Sequence, residues 1–281
     1  MKSIQMCSFL LSILALAAGC GDDDGGPTPA DDDGGVEDAG SDAGGPAPQC
    51  TAHDVRCQEA SITELRLFEP PATAGLITEE GTTAGEFTTH VDATAMPVGG
   101  TSPTTSYVYA RFTDDGLEQV DVGDEDALLS TDWDIAFRRY VIRLNSGISG
   151  PSCVTGARLP PTAEGEPPAF ESVTEVPAEL ELFEEEYFTE ASPGECTLVS
   201  DGSGLPGAPD TILAGYWRYS PTMCLQMTGN VYVLQLRGGR HVKLEVISYY
   251  SPENQEACNA GGSPTSPTGS ANMRVRWAFL D

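Results

Sequence analysis

Positive charge is scarce in this sequence: 14 Lys and Arg stand against 43 Asp and Glu, a formal net charge of −29. A chain so acidic is repelled by phosphate backbones and by anionic lipid, so nucleic acid is excluded as a partner, and a membrane has to be reached by something other than charge. Histidine is scarcer still, with only His53, His90 and His241 in the whole chain. No Cys-x-x-Cys occurs and no His stands at ligand spacing from a cysteine, so a structural zinc site has no ligand set. The Gly-x-Ser-x-Gly elbow, the His-Glu-x-x-His helix and the Gly-x-x-x-x-Gly-Lys phosphate loop are all missing. Glu184-Glu185-Glu186 is a carboxylate cluster, but consecutive acids lack the opposed geometry of glycoside hydrolysis, and a solvated helix face explains them. These absences argue for a binding or structural protein rather than an enzyme, with no catalytic residues and no metal site.

What is present begins with an export signal. Lys2 gives a positive start, and residues 9–18 (Phe-Leu-Leu-Ser-Ile-Leu-Ala-Leu-Ala-Ala) form an apolar run suited to a signal peptide and too short for a spanning helix. Leu16-Ala17-Ala18-Gly19-Cys20 then resembles a lipobox, with Ala17 where Leu is usual. Residues 1–19 are thus expected to be removed and Cys20 to carry lipid, placing the chain at the bacterial outer membrane or cell surface. Residues 21–49 hold two Asp-Asp-Asp runs and no Lys, Arg or aromatic residue, a composition that cannot bury a core. Residues 20–49 therefore make an acidic tether with a root-mean-square span on the order of 30 Å. The Asp runs lack the alternating spacing that wraps a calcium ion.

Residues 50–281 are long enough for one domain. Once Cys7 leaves with the signal and Cys20 takes lipid, six cysteines remain: Cys50, Cys57, Cys153, Cys196, Cys224 and Cys258. In an oxidising compartment these predict three disulfides, with fifteen connectivities open. Proximity along the chain favours Cys50 with Cys57, Cys153 with Cys196, and Cys224 with Cys258.

Hydrophobic period through this domain is two, which predicts an all-β fold of antiparallel, sandwich-like sheets with long loops and at most one or two short helices. Val108, Ala110 and Phe112 alternate with Tyr107 and Tyr109, and Asp114-Asp115-Gly116 turns the chain back into residues 117–122. Residues 231–237 and 241–250 flank Gly238-Gly239, a two-residue hairpin link. Met273, Val275, Trp277 and Phe279 alternate with Arg274 and Arg276 in a terminal strand. In residues 133–144, Trp133, Ile135 and Phe137 share one face, and the phase slips at Arg138-Arg139 before Tyr140, Ile142 and Leu144. A bulge there would keep both triplets in the core, aim the arginines at a specific acceptor, and let Asp134 satisfy one of them. Leu180, Phe183 and Tyr187 fall on one helical face behind Pro177, predicting a short helix or turn within residues 177–188.

Trp133-Asp134-Ile135-Ala136-Phe137-Arg138-Arg139-Tyr140, running on to Asn145-Ser146-Gly147 with Ser149-Gly150, resembles the central signature of HmuY-like proteins. In order around it fall His90-Val91-Asp92-Ala93, Tyr107-Val108-Tyr109 with Phe112, Tyr216-Trp217-Arg218-Tyr219, and Val231 to Leu234 with Gly239, Val242-Lys243-Leu244 and Ser248-Tyr249-Tyr250. The resemblance covers residues 87–279. It implies an antiparallel β domain on a surface lipoprotein that captures haem, gripped axially by His or Met, and passes it to an outer-membrane uptake receptor. The signature itself contains no His, so the candidates for haem contact are His90, His241, Met223 and Tyr249, with Met227 and Tyr250 beside the last two. The other reading left open is a structural or protein-interaction lipoprotein that keeps the scaffold without its ligand.

Overall fold

Alternation became strand where the two-residue period was clearest. The computed structural model describes residues 50–83, 85–95, 104–205 and 207–280; the signal segment, Cys20 and the tether lie outside the described residues. In chain order the elements are α1 (Gln58–Glu64), β1 (Ile77–Thr83), β2 (Glu86–Asp92), β3 (Val108–Thr113), β4 (Gly116–Val120), α2 (Asp124–Ala127), β5 (Ile135–Arg138), β6 (Val141–Leu144) and β7 (Thr155–Arg158). They continue as β8 (Phe188–Glu190), β9 (Cys196–Leu198), β10 (Trp217–Tyr219), β11 (Leu225–Met227), β12 (Val231–Gln235), β13 (His241–Ser248), α3 (Pro252–Asn259) and β14 (Asn272–Leu280). The fold is all-β with antiparallel pairing, as expected, and among the described residues there are three short α-helices instead of the one or two expected. Among the described residues no helix is long and apolar enough to cross a membrane.

Two sheets make the body: one of six strands in the order β1-β2-β14-β13-β12-β7, the other of four in the order β4-β3-β5-β6. Their facing sides bury one core, in which Phe87, Leu244, Val275 and Trp277 of the larger sheet meet Val108, Phe112, Ile135 and Phe137 of the smaller. Each sheet is also covered in part on its outer side. Tyr107, Tyr109, Trp133 and Ala136 pack there with Leu65, Leu67 and Ala127 over the small sheet, and Val231, Val233, Ala278 and Leu280 pack with Phe170 and Val173 over the large one. Burial on both faces is why all four residues of β5 are buried.

The expected β3–β4 hairpin forms, with Phe112 opposite Leu117 and Tyr109 opposite Val120. The β12–β13 hairpin pairs Gln235 with His241, and the Leu236 amide also bonds Arg240. Its link is therefore Arg237-Gly238-Gly239, three residues instead of two, with Gly239 at φ 83° in the left-handed conformation that closes such loops. Residues 133–144 are not one bulged strand. β5 and β6 form a hairpin with Ile135 opposite Leu144 and Phe137 opposite Ile142, turned by Arg139 at φ 55° and Tyr140. The phase slip was the turn. Both apolar sets still reach the central core, but Trp133 lies on the outer side of the sheet, away from Ile135 and Phe137.

Of the helix or turn expected in residues 177–188, the turn forms and no helix does. After a turn at 178–179 the chain runs extended, because Phe183 exchanges backbone hydrogen bonds with Gly156 and the Glu185 carbonyl accepts from the Ile148 amide. The helix-like spacing is dispersed: Leu180 packs on the outer cluster of the large sheet, Tyr187 is buried under the small one, and Phe183 is exposed.

All six domain cysteines are bridged, as Cys50–Cys153, Cys57–Cys196 and Cys224–Cys258. The third pair matches chain proximity; the first two do not. Residues 50–56 run beside the 151–153 loop, where the His53 amide bonds the Pro151 carbonyl, while α1 lies against β9, so Cys50 and Cys57 meet separate distant partners. Non-reducing peptide mapping should recover Cys50 linked to Cys153 and Cys57 linked to Cys196, and a Cys50–Cys57 peptide would contradict the fold. Replacing Cys57 and Cys196 together by Ala should cost about 2–5 kcal/mol in a denaturant titration, since that bridge closes a long loop of the unfolded chain.

Candidate functional site

The signature residues are structural. Asp124 is fully buried at the start of α2 and accepts four hydrogen bonds: from the Tyr107 amide (2.7 Å) and Tyr109 hydroxyl (2.9 Å) on one oxygen, and from the Phe68 amide (3.1 Å) and Arg138 (3.0 Å) on the other. Arg138 also donates to the carbonyls of Leu65 and Arg66 and lies over the Tyr107 ring, 4.0 Å from its centroid. The acceptor of this arginine is thus Asp124, not Asp134. Asp134 instead takes the Phe112 amide at 3.0 Å, and burial pushes its carboxyl up to about 6. Trp133 donates from Nε1 to the Ala127 carbonyl. Asn145 donates to the Ser130 and Trp133 carbonyls and accepts from the Ser152 amide, fixing the loop after β6. Gly147 has φ 56°, and a Cβ there would stand 2.0 Å from the Glu185 carbonyl oxygen, so this position has room only for glycine. Phe137 fills the central core.

Behind the same sheet, Arg143 is fully buried, with its guanidinium 4.4 Å from the Tyr107 ring centroid and Nη2 donating to the Tyr109 hydroxyl. Stacking on aromatic faces suits the weakly hydrated guanidinium, which forms no ion pair among the described residues. Glu185, expected on a solvated helix face, is fully buried between the Leu144 and Ile212 amides, which it accepts on separate oxygens. Its neighbours Glu184 and Glu186 are exposed as expected, but on an extended segment and not on a helix.

The four candidates for haem contact are not brought together. His90 on β2 bonds Asn272 through Nε2 at 3.1 Å, and it faces away from the central core. His241 opens β13 and is partly buried, which lowers its pKa. His90 stands opposite Arg274 and His241 opposite Leu280 on β14, so strand rise separates the two by about 20 Å, too far to grip one iron. Tyr249 is buried in the central core, and burial pushes its hydroxyl up to about 12 despite a hydrogen bond with Arg139. That setting disfavours the phenolate an iron ligand requires. Met223 differs from all three. It is 71% exposed, at φ 60°, at the tip of the β10–β11 hairpin.

That hairpin carries the site that sequence reasoning did not assemble. Trp217 and Tyr219 on β10 pack edge-to-face at 5.0 Å, and Tyr140 from the β5–β6 turn sits 6.2 Å from Trp217. The Tyr216 hydroxyl donates to the Tyr140 carbonyl and ties the two hairpins together. Tyr140 and Tyr219 are only partly buried, Met227 lies opposite Trp217, and the Trp217 Nε1 has no partner among the described residues. Arg139 places a cation 5.8 Å over the Tyr140 ring. The Cys224–Cys258 bridge fixes the hairpin to α3, and Gln226 and the Met227 amide bond α3 residues 258 and 259. The result is a disulfide-tied hairpin on which the partly exposed Tyr140 and Tyr219 flank the buried Trp217, with an exposed thioether at its tip. Its sequence signal was the dense run Tyr216-Trp217-Arg218-Tyr219 so close to Met223.

The fold and these hairpins define a class: a disulfide-bridged antiparallel β-sandwich whose Trp133–Gly150 motif mainly frames a sheet. The chain belongs to the HmuY family, whose model, described as HmuY protein, matches residues 103–261. No curated protein matches the chain. Solved structures similar to it include one described as an HmuY-like heme binding protein from Bacteroides vulgatus, 15% identical over 72% of this chain and 96% of that one, with a TM-score of 0.40. A lipoprotein from Bacteroides fragilis is 15% identical over 74% and 97%, TM-score 0.38. An apo HmuY analog from Tannerella forsythia is 14% identical over 75% and 100%, TM-score 0.37.

Burial raises Glu185 from 4.5 to about 8, with the two amides and Arg143 opposing it. The folded protein therefore holds this proton more tightly than the unfolded chain does. The stability this contributes is complete below pH 4.5 and is lost as pH rises to about 8. Urea titrations should show a loss of about 2–4 kcal/mol between pH 5 and pH 9 that is largely abolished in Glu185→Gln. An equal loss in the variant would assign the effect elsewhere.

Proposed function

We propose that the domain is a binding protein, not an enzyme, and that it takes haem or a related porphyrin at the β10–β11 hairpin. One observation carries the reading: Met223, a soft thioether donor, projects 71% exposed from the hairpin whose first strand carries Trp217 and Tyr219 beside Tyr140. The partly exposed rings of Tyr140 and Tyr219 suit stacking on a flat conjugated ring, and a thioether is an established haem-iron donor. Haem, when bound, supplies the iron and the conjugated plane. The chain's own residues hold the plane, exclude water from one face and offer the sulfur. Membership of the HmuY family supports the same ligand. The lipobox at Cys20 and three disulfides among the described residues support a role outside the cytoplasm, as a lipid-anchored protein of the outer membrane or cell surface that acquires haem and delivers it to an uptake receptor.

Haemin titrated into the purified protein, oxidised and reduced, tests this through the Soret band. The expected result is a saturable one-to-one shift weakened about tenfold or more by Met223→Ala and unaffected by His90→Ala or His241→Ala. No saturable shift in either redox state would overturn the haem reading and favour the same scaffold kept for a protein partner.

A further inference from the structure

Beside Glu185 the chain presents an unpaired backbone edge. Phe183 donates its amide to the Gly156 carbonyl (3.0 Å) and accepts from the Gly156 amide (2.8 Å), and Glu185 donates to the Ser146 hydroxyl and accepts from the Ile148 amide (both 3.1 Å). In an extended chain, alternate residues direct their amide and carbonyl to opposite sides. The even-numbered residues therefore point outward, and no hydrogen bond among the described residues uses the backbone of Leu182, Glu184 or Glu186. Leu182, Phe183, Glu184 and Glu186 of this segment also line an open cleft of about 560 Å³, together with Asp210, Thr211 and Ile212. Phe183 is 52% exposed in its wall. Of the three acids there, Glu186 pairs with Arg56, while Glu184 and Asp210 form no ion pair among the described residues. None of the haem-contact residues lines this cleft.

We propose that the edge at residues 182–186 and its acidic cleft are a docking site for an extended segment of a partner protein, rich in Lys or Arg alternating with apolar residues. The segment adds as a strand. Its backbone pairs with Leu182, Glu184 and Glu186, its cations meet Glu184 and Asp210, and its apolar side chains cover Phe183 and Ile212. Charge excludes the chain's own tether as the occupant, since residues 21–49 contain acids and no Lys or Arg. The inference stands independently of the haem reading, because it uses other residues and another ligand.

The probe is a fluorescein-labelled decapeptide of alternating Lys and Val, titrated into the whole protein and followed by anisotropy. Saturable one-to-one binding is expected, with no binding of the matching Glu–Val peptide. Glu184→Pro removes the central outward amide without touching a hydrogen bond of the fold and follows an extended residue, which proline tolerates. It should weaken binding about tenfold or more, as should the double charge reversal Glu184→Lys with Asp210→Lys. Should Glu184→Pro fail to fold, a Lys–Val peptide N-methylated at alternate residues gives the same test from the ligand side. No saturable binding to the wild type overturns the proposal. So does binding that survives both Glu184→Pro and N-methylation while falling with salt, which would mark mere attraction to an acidic surface.

Discussion

The buried contact between Asp124 and Arg138 is the constraint on which the small sheet depends. An unpaired carboxylate or guanidinium in that interior would be prohibitively costly, so each group dictates where the other must be. Through its four donors Asp124 joins segment 65–68, the entrance of β3, the start of α2 and the end of β5. Arg138 closes the circle by binding two carbonyls at the end of α1. Elements far apart in sequence are thus held at one point behind the sheet, while the apolar faces of β3 and β5 are left free to meet the large sheet.

Two surfaces follow from that arrangement. The β5–β6 turn, immediately after Arg138, delivers Arg139 and Tyr140 to the β10–β11 hairpin, which carries Trp217, Tyr219 and, at its tip, the exposed Met223. On the other side, the loop fixed by Asn145 and Gly147 holds residue 185 and Gly156 of β7 holds residue 183, which draws the segment into an extended path and leaves the even-numbered edge open. Of the signature, only Arg139 and Tyr140 at the β5–β6 turn take part in a proposed surface, and the rest of it is structural. It positions both, which is consistent with a fold that keeps its frame while its contact residues vary.

Much of the fold was legible in the sequence because period two is a local signal. Hairpins β3–β4 and β12–β13 and the strand β14 were all visible as alternation between turn residues. Where both faces are buried, alternation loses its meaning, and Trp133 was assigned to the wrong side for that reason. Arg139 was misread for a related one, since a two-residue turn and a bulge produce the same slip in phase. The hub was invisible. Gly123-Asp124-Glu125-Asp126 looks like a solvated acidic turn, and nothing local separates Glu185 from the exposed acids on either side of it. Disulfide pairing failed at Cys50 and Cys57 because neighbours in sequence were carried to opposite loops by contacts that form over more than a hundred residues. Of the site, Met223 was named in advance, but its aromatic setting required the meeting of two hairpins that no local pattern encodes.

A double-mutant cycle at the hub tests the account most directly. Asp124→Ala, Arg138→Ala and the double variant would be unfolded in urea and their free energies compared with the parent. The account predicts that each single substitution costs about 3–5 kcal/mol, because it strands a buried charge, and that the double variant costs well below the sum. Single losses below about 1 kcal/mol that simply add would show that the pair is incidental and that the sheet is held by something else.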